Sequence, residues 1–162
     1  MQFENYPAER LYIDSVDSRL SPQGKKARLS IMNFTIENGR PFNLEKDASA
    51  EIAAAFPELT AKRAAVAGSG GDVDFIYPVS ARPTSHAVTL SDGRRFCAMC
   101  AIDAMGSSFT FRRDVVVESA CAQCGAPVRV EIKNGALALA DPHTLQALHV
   151  DLNRNQDWST SC

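Results

Sequence analysis

The chain has 162 residues, 45% of them hydrophobic, and a formal net charge of −2. That is enough apolar material for one ordinary domain or two small lobes sharing a core, and it excludes a disordered chain. The near-neutral balance gives no electrostatic ground for nucleic acid or an anionic membrane as partner, and no apolar run reaches the length of a membrane span.

Residues 1–20 form a poorly patterned lead-in without the basic region and apolar core of a secretory signal. The expectation is therefore a soluble, cytoplasmic protein. Ser21-Pro22 reads as a helix cap followed by proline at the first helical position; Ala27, Ile31 and Phe34 recur at helical spacing, and Gly39 is the stop. A second helix is expected from about Asp47, as its cap, to Ala55, broken at Phe56-Pro57. A third is expected from Pro57 to about Ala67. After the turn Gly68–Gly71, Asp74–Ser80 and His86–Leu90 read as the two strands of a hairpin. Three short helices and a hairpin are the element order of a winged helix. Lys62 and Arg63 are the only cations of that third helix, which gives DNA binding little support.

Asp92-Gly93 marks a turn, and a helix is expected from Phe96 to about Met105. Asp114–Ser119 and Val128–Ile132 read as strands, with the turn-rich loop Cys121–Pro127 between them. Asn134-Gly135 is a hairpin signal that pairs Val128–Ile132 with Ala136–Ala140. Leu148–Leu152 is a candidate last strand, and Asn153–Cys162 is polar. The fold class is α+β: a winged-helix-like N-terminal lobe, residues 1–90, packed on a mostly antiparallel sheet lobe with a cysteine-bearing helix, residues 91–162.

The chemistry lies in the cysteines. Five are present, Cys97, Cys100, Cys121, Cys124 and Cys162, and four of them form two C-x-x-C pairs. In a reducing compartment such pairs bind metal or exchange redox equivalents more often than they form structural disulfides. On spacing alone, Cys97, Cys100, Cys121 and Cys124 match a structural zinc site of four thiolates. The first pair, however, sits in an apolar, helix-forming run that is unlike a zinc knuckle. Within that run Cys100 and Asp103 stand three residues apart, where one helical turn puts a soft nucleophile beside a carboxyl that can relay a proton.

The stretch Asp92-Gly-Arg-Arg-Phe-Cys-Ala-Met-Cys-Ala-Ile-Asp103, followed by Val117-Glu-Ser-Ala-Cys-Ala-Gln-Cys-Gly-Ala-Pro-Val128, resembles the organomercurial (alkylmercury) lyase family. The resemblance covers residues 70–162; the helical N-terminal part matches in element order alone. It implies that Cys100 is the first mercury-binding catalytic thiol, Asp103 the acid/base partner, Cys162 the second thiol and Cys121 a structural cysteine. It further implies protonolytic cleavage of a carbon–mercury bond in a small organomercurial. Hydrocarbon and thiolate-bound Hg(II) are the products, no cofactor beyond reduced thiols is required, and small thiols or a mercury-handling protein accept the metal.

Cys97 and Cys124 fall where better-known members carry other residues, and this keeps a zinc-stapled, non-enzymatic module open as the alternative. So does a soft-metal-binding relative without lysis. In the family the second cysteine is followed by an apolar strand and a helical segment. Here the chain ends at Cys162, which reads as a shortened core or a thiol on a mobile tail. Without the resemblance, Asp103 reads as a surface helix residue or a partner for Arg94 or Arg95. His86, His143 and His149 have no ligand spacing to one another, and Trp158 reads as an anchor for the tail.

Overall fold

A computed structural model of the chain describes residues 15–148. Cys162, Trp158, His149 and nearly all of the candidate strand Leu148–Leu152 lie outside the described residues.

The first helix forms where the sequence sets it. In α1, Pro22–Asn38, the Ser21 hydroxyl accepts the Gly24 N–H, proline occupies the first turn, and Gly39 ends the helix at φ 61° with its N–H on the Thr35 carbonyl. Ala27, Arg28, Ile31, Met32 and Thr35 make its buried face.

The next segment departs from expectation. The helix α2, Ala50–Ala61, is capped by Ser49 and runs through Pro57 without a break. Proline there removes the bond to the Ala53 carbonyl and costs roughly 3 kcal/mol in a helix interior. Two features offset this. Ala53 and Pro57 are exposed, so the orphaned carbonyl meets water, and Phe56 and Leu59 on the other face are buried. Asp47 is not the cap. Its carboxylate takes two bonds from Arg40 and the Asn43 N–H, which hold its pKa down at about 2. The separate helix over Pro57–Ala67 does not form: its first half belongs to α2, and Ala65–Ala67 is a strand.

Among the described residues, nine strands make one antiparallel sheet: β1 (Phe42–Asn43), β2 (Ala65–Ala67), β3 (Asp72–Ile76), β4 (Val79–Ser80), β5 (His86–Leu90), β6 (Arg95–Ala98), β7 (Val115–Ala120), β8 (Pro127–Lys133) and β9 (Ala136–Asp141). Its order is β1-β3-β4-β6-β5-β7-β8-β9, with β2 also on β3. The sheet therefore continues through residue 90 without a gap. The expected hairpin of Asp74–Ser80 with His86–Leu90 is not made; β3 folds back on β4, and β5 pairs with β6 and β7. The β8–β9 hairpin does form, with Asn134 and Gly135 at φ 52° and 73° as its turn requires.

Helix α3, Ala101–Phe111, lies over one face of β5–β8. That face carries Val88, Leu90, Phe96, Ala98, Val115, Val117, Val130 and Ile132, all buried and in cross-strand register. The alternate residues of the same strands form a charged back face on which Arg95 and Arg129 pair with Glu118, and Arg129 and Lys133 with Glu131. This period-2 split also corrects the helix expected from Phe96. Burying Phe96 and Ala98 together requires alternation, so Arg95–Ala98 is a strand and the helix starts only at Ala101.

Candidate functional site

The chain turns from β6 into α3 at Cys100. This residue is the N-cap, in extended conformation at φ −142°, and Asp103 is in the first turn. The two side chains close a reciprocal pair. The Cys100 Sγ accepts the Asp103 N–H at 3.5 Å, and the thiol donates to Asp103 Oδ2 at 3.4 Å. The sulfur thus caps the third N–H of the helix, as a serine hydroxyl would. Thiol and carboxyl thus share one helical turn as the spacing suggests, although Cys100 caps the helix instead of lying within it.

Burial pushes the Asp103 carboxyl up to about 6; its bond from Cys100 and the positive charge of Arg28 act the other way without reversing it. Arg28 comes from the buried face of α1 and is 6% exposed. It is held by the Tyr77 carbonyl, to which Nε and Nη2 donate at 2.9 and 2.7 Å, and lies 3.6 Å from Asp17. Burial also lowers the Arg28 pKa, with Asp17 and Asp103 opposing. Asp103, Arg28, Asp17, Tyr77 and Phe109 line a cleft of about 350 Å³, at the small end of the range for ligand pockets. Sequence reasoning missed Arg28. Its signal was a charged residue inside the apolar row Ala27, Ile31, Phe34, where burial demands a polar partner.

The other thiols lie apart from this turn. Cys97 is in β6, on the face opposite Phe96 and Ala98, and lines a separate cleft with Thr35, Ile36 and Ala87. It does not share a helical face with Cys100. Cys121 and Cys124 sit in the turn between β7 and β8. The Cys121 pKa is lowered, chiefly by the backbone N–H groups of Cys124 and Gln123 and then by the Cys124 thiol.

The four cysteines do not assemble the zinc site that their spacing suggests. Cys97 is in register with Ala87 and Ala87 with Glu118, so β5 separates Cys97 from β7, and Cys121 lies three residues beyond Glu118. Two strand spacings alone exceed what a tetrahedral ion with Zn–S bonds of about 2.3 Å can bridge. Among the described residues, no three His, Cys, Asp or Glu side chains converge on a metal position. His86 is bonded through Nδ1 to the Ser119 hydroxyl at 2.9 Å, with its pKa lowered by burial, and His143 is exposed.

Among solved structures, the chain is similar to the mercury-bound form of MerB2, with a TM-score of 0.58 and 23% identity over 79% of this chain. The match spans 64% of that protein's length, and at this identity it establishes the fold alone. No curated protein matches the chain in a direct sequence comparison. The family model described as MerB, alkylmercury lyase, matches residues 79–162, just over half of the chain, and so takes in β4 through β9, the Cys100–Asp103 turn and both C-x-x-C pairs. On that match the chain belongs to the alkylmercury lyase family.

Proposed function

We propose that the protein cleaves carbon–mercury bonds by protonolysis, with Cys100 as the first thiolate, Asp103 as the proton carrier and Cys162 as the second thiol. The observation that carries this reading is the reciprocal Cys100–Asp103 pair at the start of α3, beside a small cleft and a buried arginine.

Mercury is soft and takes thiolate sulfur before nitrogen or oxygen. The positive end of α3 faces the Cys100 sulfur and favours negative charge there. In the proposed sequence the Asp103 carboxylate accepts the thiol proton as Cys100 binds R–Hg⁺. The second thiol then releases its proton to solvent and joins the metal as a thiolate, and two sulfur donors push electron density onto mercury and weaken the Hg–C bond. Asp103 returns its proton to the carbon, so that R–H leaves and Hg(II) stays on two sulfurs. No electron is gained or lost, and no cofactor is needed beyond reduced thiols. A carboxyl poised at about 6 can both take and give a proton near neutral pH. Arg28, near but not bonded to Asp103, keeps that value from rising further.

The substrate is then a small organomercurial, and low-molecular-weight thiols or a mercury-handling protein accept the metal. The reduced thiols that the mechanism needs favour the cytoplasm; no helix among the described residues is long and apolar enough to cross a membrane. We read α1, α2 and the β2–β3 pair as a winged-helix-like lobe against which the lyase core, from residue 91, is built.

The test is turnover. Reduced protein with excess small thiol is incubated with phenylmercury, and benzene release is followed against Cys100→Ser. Benzene from the unaltered chain alone supports the reading. Mercury retained without benzene would instead indicate a binding relative that has lost lysis.

A further inference from the structure

The turn that carries Cys121 and Cys124 has no part in the reaction above, yet it is built as a thiol clamp. β7 ends at Ala120 and β8 starts at Pro127. Between them the Cys121 N–H donates to the Ala126 carbonyl and the Gly125 N–H to the Cys121 carbonyl, both at 2.8 Å. Gly125, at φ 71°, supplies the left-handed step that brings the chain round. The closed turn keeps both cysteines in one loop, where the Cys121 thiol has the N–H groups of Gln123 and Cys124 and the Cys124 thiol as its neighbours. Backbone donors aimed at sulfur stabilise a thiolate, and hence a metal ligand, without any side-chain charge. Both thiols are free, Cys124 is exposed and Cys121 half-buried, so a ligand can reach them.

We propose that Cys121 and Cys124 form a second metal site, a two-thiolate clamp that captures Hg(II). Two sulfurs and no third ligand among the described residues suit a soft cation that binds two collinear thiolates, and suit zinc, which seeks four ligands, poorly. The choice of mercury rests on the lyase reading; the two-thiol geometry does not.

Position supports a role in receiving the product. β6 and β7 both run antiparallel to β5, so they run parallel to each other and leave the same end of the sheet. Cys100 and Cys121 each lie three residues beyond the aligned row Cys97, Ala87, Glu118. The two thiol turns are thus two strand spacings apart, about 10 Å across the sheet end. Capture is an exchange: Hg(II) held by two small thiolates passes to Cys121 and Cys124, whose two protons leave on the released thiols. No oxidant or reductant enters.

The experiment uses the full chain with Cys97, Cys100 and Cys162 replaced by Ser, reduced and anaerobic. It is titrated with HgCl₂ in excess glutathione and desalted, and retained mercury is measured together with thiolate-to-mercury absorption in the ultraviolet. One equivalent retained, falling at least tenfold on adding either Cys121→Ser or Cys124→Ser with the melting curve unchanged, is the expected result. Equal retention without either cysteine, or equal retention of zinc, overturns the proposal. If the triple variant does not fold, the same titration of the unaltered chain against Cys124→Ser must show one equivalent fewer, and no difference overturns it. Neither titration uses an organomercurial. A clamp that works in a chain releasing no benzene, or benzene released by a chain with no clamp, therefore separates the two readings.

Discussion

The two C-x-x-C pairs have the same spacing and opposite structures. Cys97 and Cys100 straddle the end of a strand, so the alternation of β6 sends one sulfur to the back of the sheet and the cap of α3 holds the other beside Asp103. Cys121 and Cys124 occupy a turn with no alternation, and there two backbone bonds close both thiols into one loop. A cysteine pair becomes a pair in space through the element that carries it. The interval alone leaves this open.

The sharpest way to break the comparison is to alter the first pair one thiol at a time. Cys100→Ser is expected to lower phenylmercury turnover by on the order of 10³-fold or more, since the attacking sulfur is gone. Cys97→Ser, with its side chain on the other face, should stay within about twofold; equal losses in the two variants would mean that the pair acts as a unit after all.

The next effect belongs to the carboxyl. Asp103→Asn should cost about 10²–10⁴-fold in turnover, measured as benzene release. It should also change stability with a definite sign. Asp103 loses its proton near 3.8 when unfolded and near 6 when folded, so the folded state holds more protons between those values. Stability therefore falls as pH rises through that window and stays lower above it, by up to about 3 kcal/mol. Asp103→Asn should accordingly stabilise the chain at pH 8 and leave it unchanged at pH 3, as denaturant midpoints will show.

Arg28 is expected to act more weakly and through Asp103. Because the carboxylate must take the thiol proton, kcat/KM should rise through pH 6 and level above it. Arg28→Met removes the charge that holds the value down, so the midpoint of this profile should move to higher pH. The same change removes the two bonds that Arg28 donates to the Tyr77 carbonyl, at about 1–3 kcal/mol in a urea melt. The smallest effect is in the second pair. Gly125→Ala places a Cβ on a residue at φ 71° and should destabilise by about 1 kcal/mol in thermal melts, while weakening mercury retention by the clamp.

What was legible in the sequence was local. Ser21-Pro22 and Gly39 bound α1 because capping is decided within one turn, and Asn134-Gly135 folds a hairpin because both residues tolerate positive φ. The thiol–carboxyl interval at Cys100 and Asp103 holds for the same reason. What failed depended on distant residues. Phe96–Ala98 reads as helix-forming, yet Val88 across the sheet makes it a strand. Pro57 reads as a breaker, yet the burial of Phe56 and Leu59 carries the helix through it. The zinc pattern failed because β5, thirty residues upstream of Cys121, lies between the two pairs.

The bond from Arg28 to the Tyr77 carbonyl has a consequence for how the molecule opens. Helix α1 cannot lift from the sheet alone without withdrawing both Arg28 donors from the carbonyl of the buried Tyr77. Local opening is thereby made to proceed in a larger block. Amide protons in the middle of α1 should exchange with solvent in step with those of Val73 and Ile76 in β3, and a ligand that tightens the Asp103 cleft should slow both sets together.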